Sequence, residues 1–129
     1  MKLISGLTVL ALFLMSGCSQ QERTTTVTTI MIDNINAEDV LSMDPTADIF
    51  QFESVIYQTN IDWVNELTLT KDIQVGEIKF KNETDTNFKN GMSNKLPIGT
   101  KIFSTKERGD ILIVELDGQI IKYLAIVEG

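Results

Sequence analysis

Residues 101–127 read KIFST KERGD ILIVEL DG QIIKYLAIV, and this stretch decides the fold class. Asp117-Gly118 sits between two apolar runs, and glycine at that place favours a tight primed turn, so residues 119–127 are expected to return antiparallel to Ile111–Leu116. Lys106-Glu107-Arg108-Gly109-Asp110 is a second turn, which carries the chain from a strand at 101–104 into the one at 111–116. Leu96-Pro97-Ile98-Gly99-Thr100 is the turn that opens the series. The result is a three-stranded antiparallel meander.

Upstream, residues 73–81 read as a strand bearing Val75, Ile78 and Phe80, and Gly76 falls where the alternation slips by one residue, as a β-bulge requires. Residues 48–57 read as one strand with two apolar faces, Phe50, Phe52 and Ile56 on one and Ile49, Val55 and Tyr57 on the other. Between them, residues 60–67 offer Asn60 as an N-cap and Trp63, Val64 and Leu67 at helical spacing. Trp63 is expected to plug the core; a ligand-stacking role is its functional alternative. Residues 82–95 form a long polar loop, of a length often associated with mobility or function. The expectation is a mainly β fold, a small antiparallel barrel or sheet of five to six strands with one or two short helices.

The start of the chain has a different character. Met1-Lys2 is positive, Leu3 to Met15 is apolar but for Ser5, Gly6 and Thr8, and Ser16-Gly17 is small: the three zones of a secretory signal. The run is shorter than the roughly 20 apolar residues that span a bilayer. Leu14-Met15-Ser16-Gly17-Cys18 resembles the bacterial lipobox, with Met15 in place of the usual leucine, and the resemblance implies cleavage before Cys18 and lipid on its sulfur. A lone cysteine in an exported chain forms no internal disulfide, and stable anchoring takes two or more acyl chains. Ser19 to Thr29 reads as a spacer, Ile30-Met31-Ile32 as the start of a first strand, and Asn36 as the cap of a short helical turn bearing Val40, Leu41 and Met43. The expected layout is a leader at 1–17, a lipidated Cys18 with a mostly flexible spacer at 18–46, and a small β domain at 47–129.

The formal charge is −7, and removal of the leader with Lys2 takes it to −8, which argues against nucleic acid as a partner. An acidic body is also repelled by anionic lipid, so attachment to the membrane falls to the lipid anchor. Residues 18–72 carry ten acids against Arg23 and Lys71, whereas 73–129 carry eight acids and eight bases. The membrane-proximal half therefore holds the negative field, either a solvated surface or a site for a basic partner or cation.

The chain has no histidine, and its single cysteine is the lipidation candidate, so a Ser-His triad, a cysteine nucleophile and a typical zinc site are not expected. Asp44/Asp48 and Glu83/Asp85 are carboxylate pairs whose spacing does not place them in one cleft. Asn82 to Asn87 followed by Asn90-Gly91 is rich in oxygen but misses the calcium-loop spacing, because the glycine arrives one place late. No catalytic, metal or cofactor residue is expected.

The Leu96-Pro97-Ile98-Gly99-Thr100-Lys101-Ile102 segment and its hairpin resemble the opening of bacterial SH3-like wall-binding modules over about 30 residues. From Ala47 onward, Ala-Asp-Ile-Phe-Gln, Asp-Trp-Val and Leu-Pro-Ile-Gly-Thr-Lys-Ile-Phe are similar to an uncharacterised domain of small lipoproteins and secreted proteins of Bacillus-like bacteria. The resemblance implies a cell-membrane lipoprotein and carries no activity. The function expected is a non-catalytic binding module for an envelope protein or wall polymer. The alternatives are a small-ligand binder or enzyme inhibitor using a barrel mouth and loop 82–95, and, more remotely, a carboxylate-based hydrolase.

Overall fold

The structure is a computed structural model that describes residues 35–127. The leader at 1–17, Cys18 and the strand expected at 30–32 lie outside the described residues. A short helix α1 (Ala37–Met43) precedes β1 (Ile49–Phe52), β2 (Val55–Gln58), a second short helix α2 (Asp62–Asn65), β3 (Lys71–Glu77), β4 (Phe80–Lys81), β5 (Met92–Ser93), β6 (Lys101–Thr105), β7 (Ile111–Leu116) and β8 (Gln119–Ile126). All eight strands join one sheet in the order β3-β6-β7-β8-β2-β1-β5-β4. The fold is mainly β, as expected, with eight strands among the described residues rather than five or six.

The sheet is strongly curled, and the chain itself shows why. Strands β3 and β4 stand at opposite ends of the hydrogen-bonding order, yet only Ile78 and Lys79 separate them in sequence. That link spans about 11 Å at most, so the two edges must approach one another. The change of partner happens at Ile78: its N–H donates to Thr100 O at 2.8 Å and its carbonyl accepts from Gly99 N at 2.7 Å, while Lys79 N and Phe80 N donate to Gly91 O at 2.7 and 3.1 Å. The Ile78 side chain is completely buried. The single strand expected over 73–81 is thus two strands bent around one core residue, giving a curled half-barrel.

Gly76 lies at a register shift between β3 and β6, as its place in the alternation suggests. It also faces a neighbour: a Cβ built there would stand 2.8 Å from Phe52 Cε1. β3 comes that close to the ring on β1 only because the sheet curls.

The expected strand at 48–57 is instead a hairpin. Phe52 pairs with Val55 across a two-residue turn in which Glu53 and Ser54 take φ of 50° and 69°. Neither residue favours the left-handed region, so the turn gave no sequence signal. Its partner is distant: Asn90 Oδ1 accepts from Ser54 N at 2.8 Å and from Gln51 Nε2 at 3.1 Å. The turn changes which side chains share a face. Phe50, Phe52, Val55 and Tyr57 all face the half-barrel interior with Ile78, Leu96, Ile102, Leu112, Val114 and Tyr123. The meander forms as expected, with Asp117 and Gly118 at φ of 53° and 79° in its primed turn.

On the outer face the two helices cover the central strands. Ala37 and Val40 of α1 pack with Ala47, Ile49 and Ile56. Residues 35–46, grouped with the spacer by composition, thus contribute a helix to the packed unit. Asn36 caps it reciprocally, its Oδ1 accepting from Asp39 N at 2.9 Å while Asp39 Oδ2 accepts from Asn36 N at 3.1 Å. At α2 the expected cap is displaced: Asn60 takes φ of 67°, and Ile61 precedes the helix without a side-chain cap. Val64, not Trp63, is its buried residue; Trp63 is 49 % exposed, with the Arg108 guanidinium 5.2 Å from its ring centroid. Both residues fit helical spacing, and only the docking of α2 on β8, where Lys122 Nζ donates to the carbonyls of Asn65 and Leu67, selects between them.

Candidate functional site

Helix α1 buries only part of its apolar surface. Val40 turns inward, whereas Met43, one turn later, is 86 % exposed, the largest exposure of any large apolar side chain among the described residues. Beside it opens a cavity of about 580 Å³, bounded by Ile35, Asp39, Val40, Met43 and Asp44 on the helix side and by Gln58 and Ile126 on the sheet. Residues 39, 40, 43 and 44 belong to one helical face. Gln58 and Ile126 come from β2 and β8, which pair directly, so the floor is rigid sheet. The volume lies within the range of ligand clefts, roughly 300–1,000 Å³. Four further surface cavities are 310 Å³ or smaller.

The groove is lined mostly by apolar side chains, with Gln58 as its one amide and two carboxylates on the helix side. Both titratable side chains that line it are carboxylates, and Glu38 stands next to Asp39 in the first turn. Each carboxylate is held in place. Asp39 Oδ2 closes the capping box, and Asp44 Oδ1 accepts from Thr46 N at 3.1 Å and Thr46 Oγ1 at 2.8 Å. Among the described residues Asp39 Oδ1 and Asp44 Oδ2 meet no donor, so each keeps an oxygen for an incoming cation or N–H group.

The sequence had marked Val40, Leu41 and Met43 as a partial apolar face. It could not show that the sheet stops short of Met43 and leaves a cleft there.

The other residues considered from sequence do not come together as chemistry. Asp44 is engaged with Thr46, while Asp48 accepts from Tyr123 Oη at 2.8 Å. Burial raises the Asp48 carboxyl above its ordinary range, and the hydrogen bond it accepts from Tyr123 and the charge of Lys95 only partly offset this. Burial likewise raises the Tyr123 phenol, with the Asp48 charge adding to the effect. This pair ties the last strand to the approach to β1 and serves the core. Glu83 pairs with Lys81 at 3.4 Å, and Asp85 accepts from Asn87 N at 3.1 Å.

Loop 82–95 is built into the fold. Asn82 Oδ1 accepts from Thr84 N and Asp85 N at 3.2 and 3.0 Å, so this oxygen serves its own turn. Phe88 packs against the α1 cluster, and Met92-Ser93 enters the sheet between β1 and β4. Asn94 bridges Ala47 O and Ile49 N, and the buried Ser93 hydroxyl donates to Ile49 O at 2.9 Å. Part of the polar composition that marks this segment as a long loop is used for these backbone contacts. No group of three or more metal-ligating side chains gathers among the described residues, and among them no helix is long and apolar enough to cross a membrane. No protein family, curated protein or solved structure matches this chain.

Proposed function

We propose that the chain is an extracytoplasmic lipoprotein, anchored to the cell membrane by lipid on Cys18, whose β domain is a non-catalytic binding module for an envelope component. The observation that carries the binding role is the acid-rimmed apolar groove beside α1, the largest cavity described and the one with an exposed methionine at its mouth. The anchor rests on the leader and the Leu14-Met15-Ser16-Gly17-Cys18 motif. The domain itself is read as a small barrel, a reading supported by the two-residue link between its edge strands.

The length of the tether suits this role. Ile35 lines the groove, and the segment from Cys18 to Ile35 spans about 60 Å at most. Whatever the groove holds stays within that distance of the bilayer surface. A tether of this kind raises the effective concentration of a partner already confined to the envelope, so a modest affinity suffices.

The reading is tested by placing a photo-crosslinking residue at position 43, on the groove, and in separate strains at positions 63 and 98 on other faces. Specific adducts in intact cells are expected from position 43. If no position captures an envelope component, the binding role is wrong.

A further inference from the structure

The groove's lining discriminates between the two kinds of envelope component. Glycan sites present aromatic platforms and several side-chain donors, and the groove has neither: Gln58 supplies its one amide and no aromatic residue lines it. An anionic wall polymer meets two carboxylates there and no base, in a chain of net charge −7. What does fit is a side chain that wants an apolar floor with a positive charge close by. Met43 offers a flexible, polarizable thioether of the sort that lines grooves for apolar anchor residues. Asp39 and Asp44 sit at its edge with their orientation already fixed by Asn36 and Thr46, so binding a cation there orders little.

We propose that the α1 groove docks a basic polypeptide segment of an envelope protein, one that seats a large apolar side chain between Met43 and Ile126 and sets lysine or arginine against Asp39 and Asp44. This rests on the reading of the chain as a binding module and names the partner class of that site. Charge complementarity carries the choice of occupant: the two ionisable side chains that line the groove are both acids, whereas the bases of the chain are concentrated after residue 73. The second component of recognition is apolar and insensitive to salt, so the interaction should weaken with ionic strength without vanishing.

The probes are three fluorescent peptides of equal length, one of alternating lysine and leucine, one with serine for leucine and one with glutamate for lysine. They are titrated by anisotropy against the mature protein purified from a producing bacterium. The lysine–leucine peptide is expected to bind at least about tenfold more tightly than either of the others, since each lacks one of the two interactions. Met43→Lys, at a largely solvated position and with the fold checked by circular dichroism, should weaken it by about tenfold or more, because it adds a like charge and removes the apolar contact. Ile98→Lys on the distant turn, also exposed, should change nothing. Equal binding of the serine peptide, indifference to Met43→Lys, or preferential binding of a purified anionic wall polymer would each overturn the proposal. In those cases crosslinking from positions 63 or 98 still decides separately whether the chain is a binding module at all.

Discussion

Gly76→Ala should destabilise the protein, although the same change in an ordinary strand interior stabilises by about 0.5–1 kcal/mol through the lost freedom of glycine. The alanine Cβ would lie 2.8 Å from Phe52 Cε1, 3.6 Å from Cδ1 and 3.7 Å from Cζ, so the ring or the β3 backbone must move. Phe52 packs against the half-barrel core, and overpacking of this kind costs about 1–3 kcal/mol. The net expectation is a loss of about 0.5–2 kcal/mol, read as a lower urea midpoint and a fall in Tm of roughly 4–8 °C per kcal/mol for a domain of this size. In a Phe52→Leu background the ring edge is gone, and the penalty should shrink or reverse, a coupling that a double-mutant cycle measures directly. The two accounts differ in sign: if Gly76→Ala raises stability in the parent protein, β3 does not approach β1 and the sheet is not curled as described.

Ser54→Gly should stabilise by about 0.5–1 kcal/mol, because φ of 69° burdens any residue with a Cβ, whereas Asn90→Ala should cost about 1–2 kcal/mol by removing the acceptor for Ser54 N and Gln51 Nε2; urea melts check both. Tyr123→Phe leaves the half-buried Asp48 carboxylate without its hydroxyl donor and should cost about 1–3 kcal/mol at neutral pH, with a smaller loss in acid where Asp48 is protonated. The folded-state pKa of Asp48 lies above its unfolded value, so its contribution favours folding in acid and is lost as pH rises from the ordinary carboxylate value through the raised one; Asp48→Asn should flatten that step in a plot of Tm against pH. Asp110 behaves oppositely: the Arg108 bonds at 2.9 and 2.8 Å hold it below the ordinary range, so its contribution is present above that range and lost as pH falls through the depressed value, and Arg108→Gln should remove this slope.

The C-terminal meander was legible because its turns use residues suited to them. Asp117-Gly118 announces a primed turn, and glycine needs no help to take φ of 79°. The β1–β2 turn was illegible for the opposite reason, since Glu53-Ser54 is held in a costly conformation by Asn90, a residue on a different segment. Gly76 is legible as a bulge from the slip in alternation, but its second role, admitting the Phe52 ring, depends on contacts between strands distant in sequence. The loop expected over 82–95 forms except at Met92-Ser93, which enters the sheet between β1 and β4, and its composition did not show that polar side chains there cap backbone groups of their own turn and of other segments. The groove was half legible. Its apolar residues stood in the α1 pattern, whereas the cleft exists only because α1 covers Ile49 and Ile56 and ends before it covers Ile126 fully.

The domain is proposed to work from a lipid anchor outside the cell membrane. The most direct test is intact mass and fractionation of the chain produced in a bacterium with lipoprotein processing, beside the Cys18→Ala variant. A membrane-bound species with the mass of residues 18–129 plus a diacylglyceryl group is expected, and for Cys18→Ala either the uncut precursor or an unlipidated protein released from the membrane. An unmodified, soluble product from the parent chain, or a Cys18→Ala protein of mature size still held by the membrane, would contradict it.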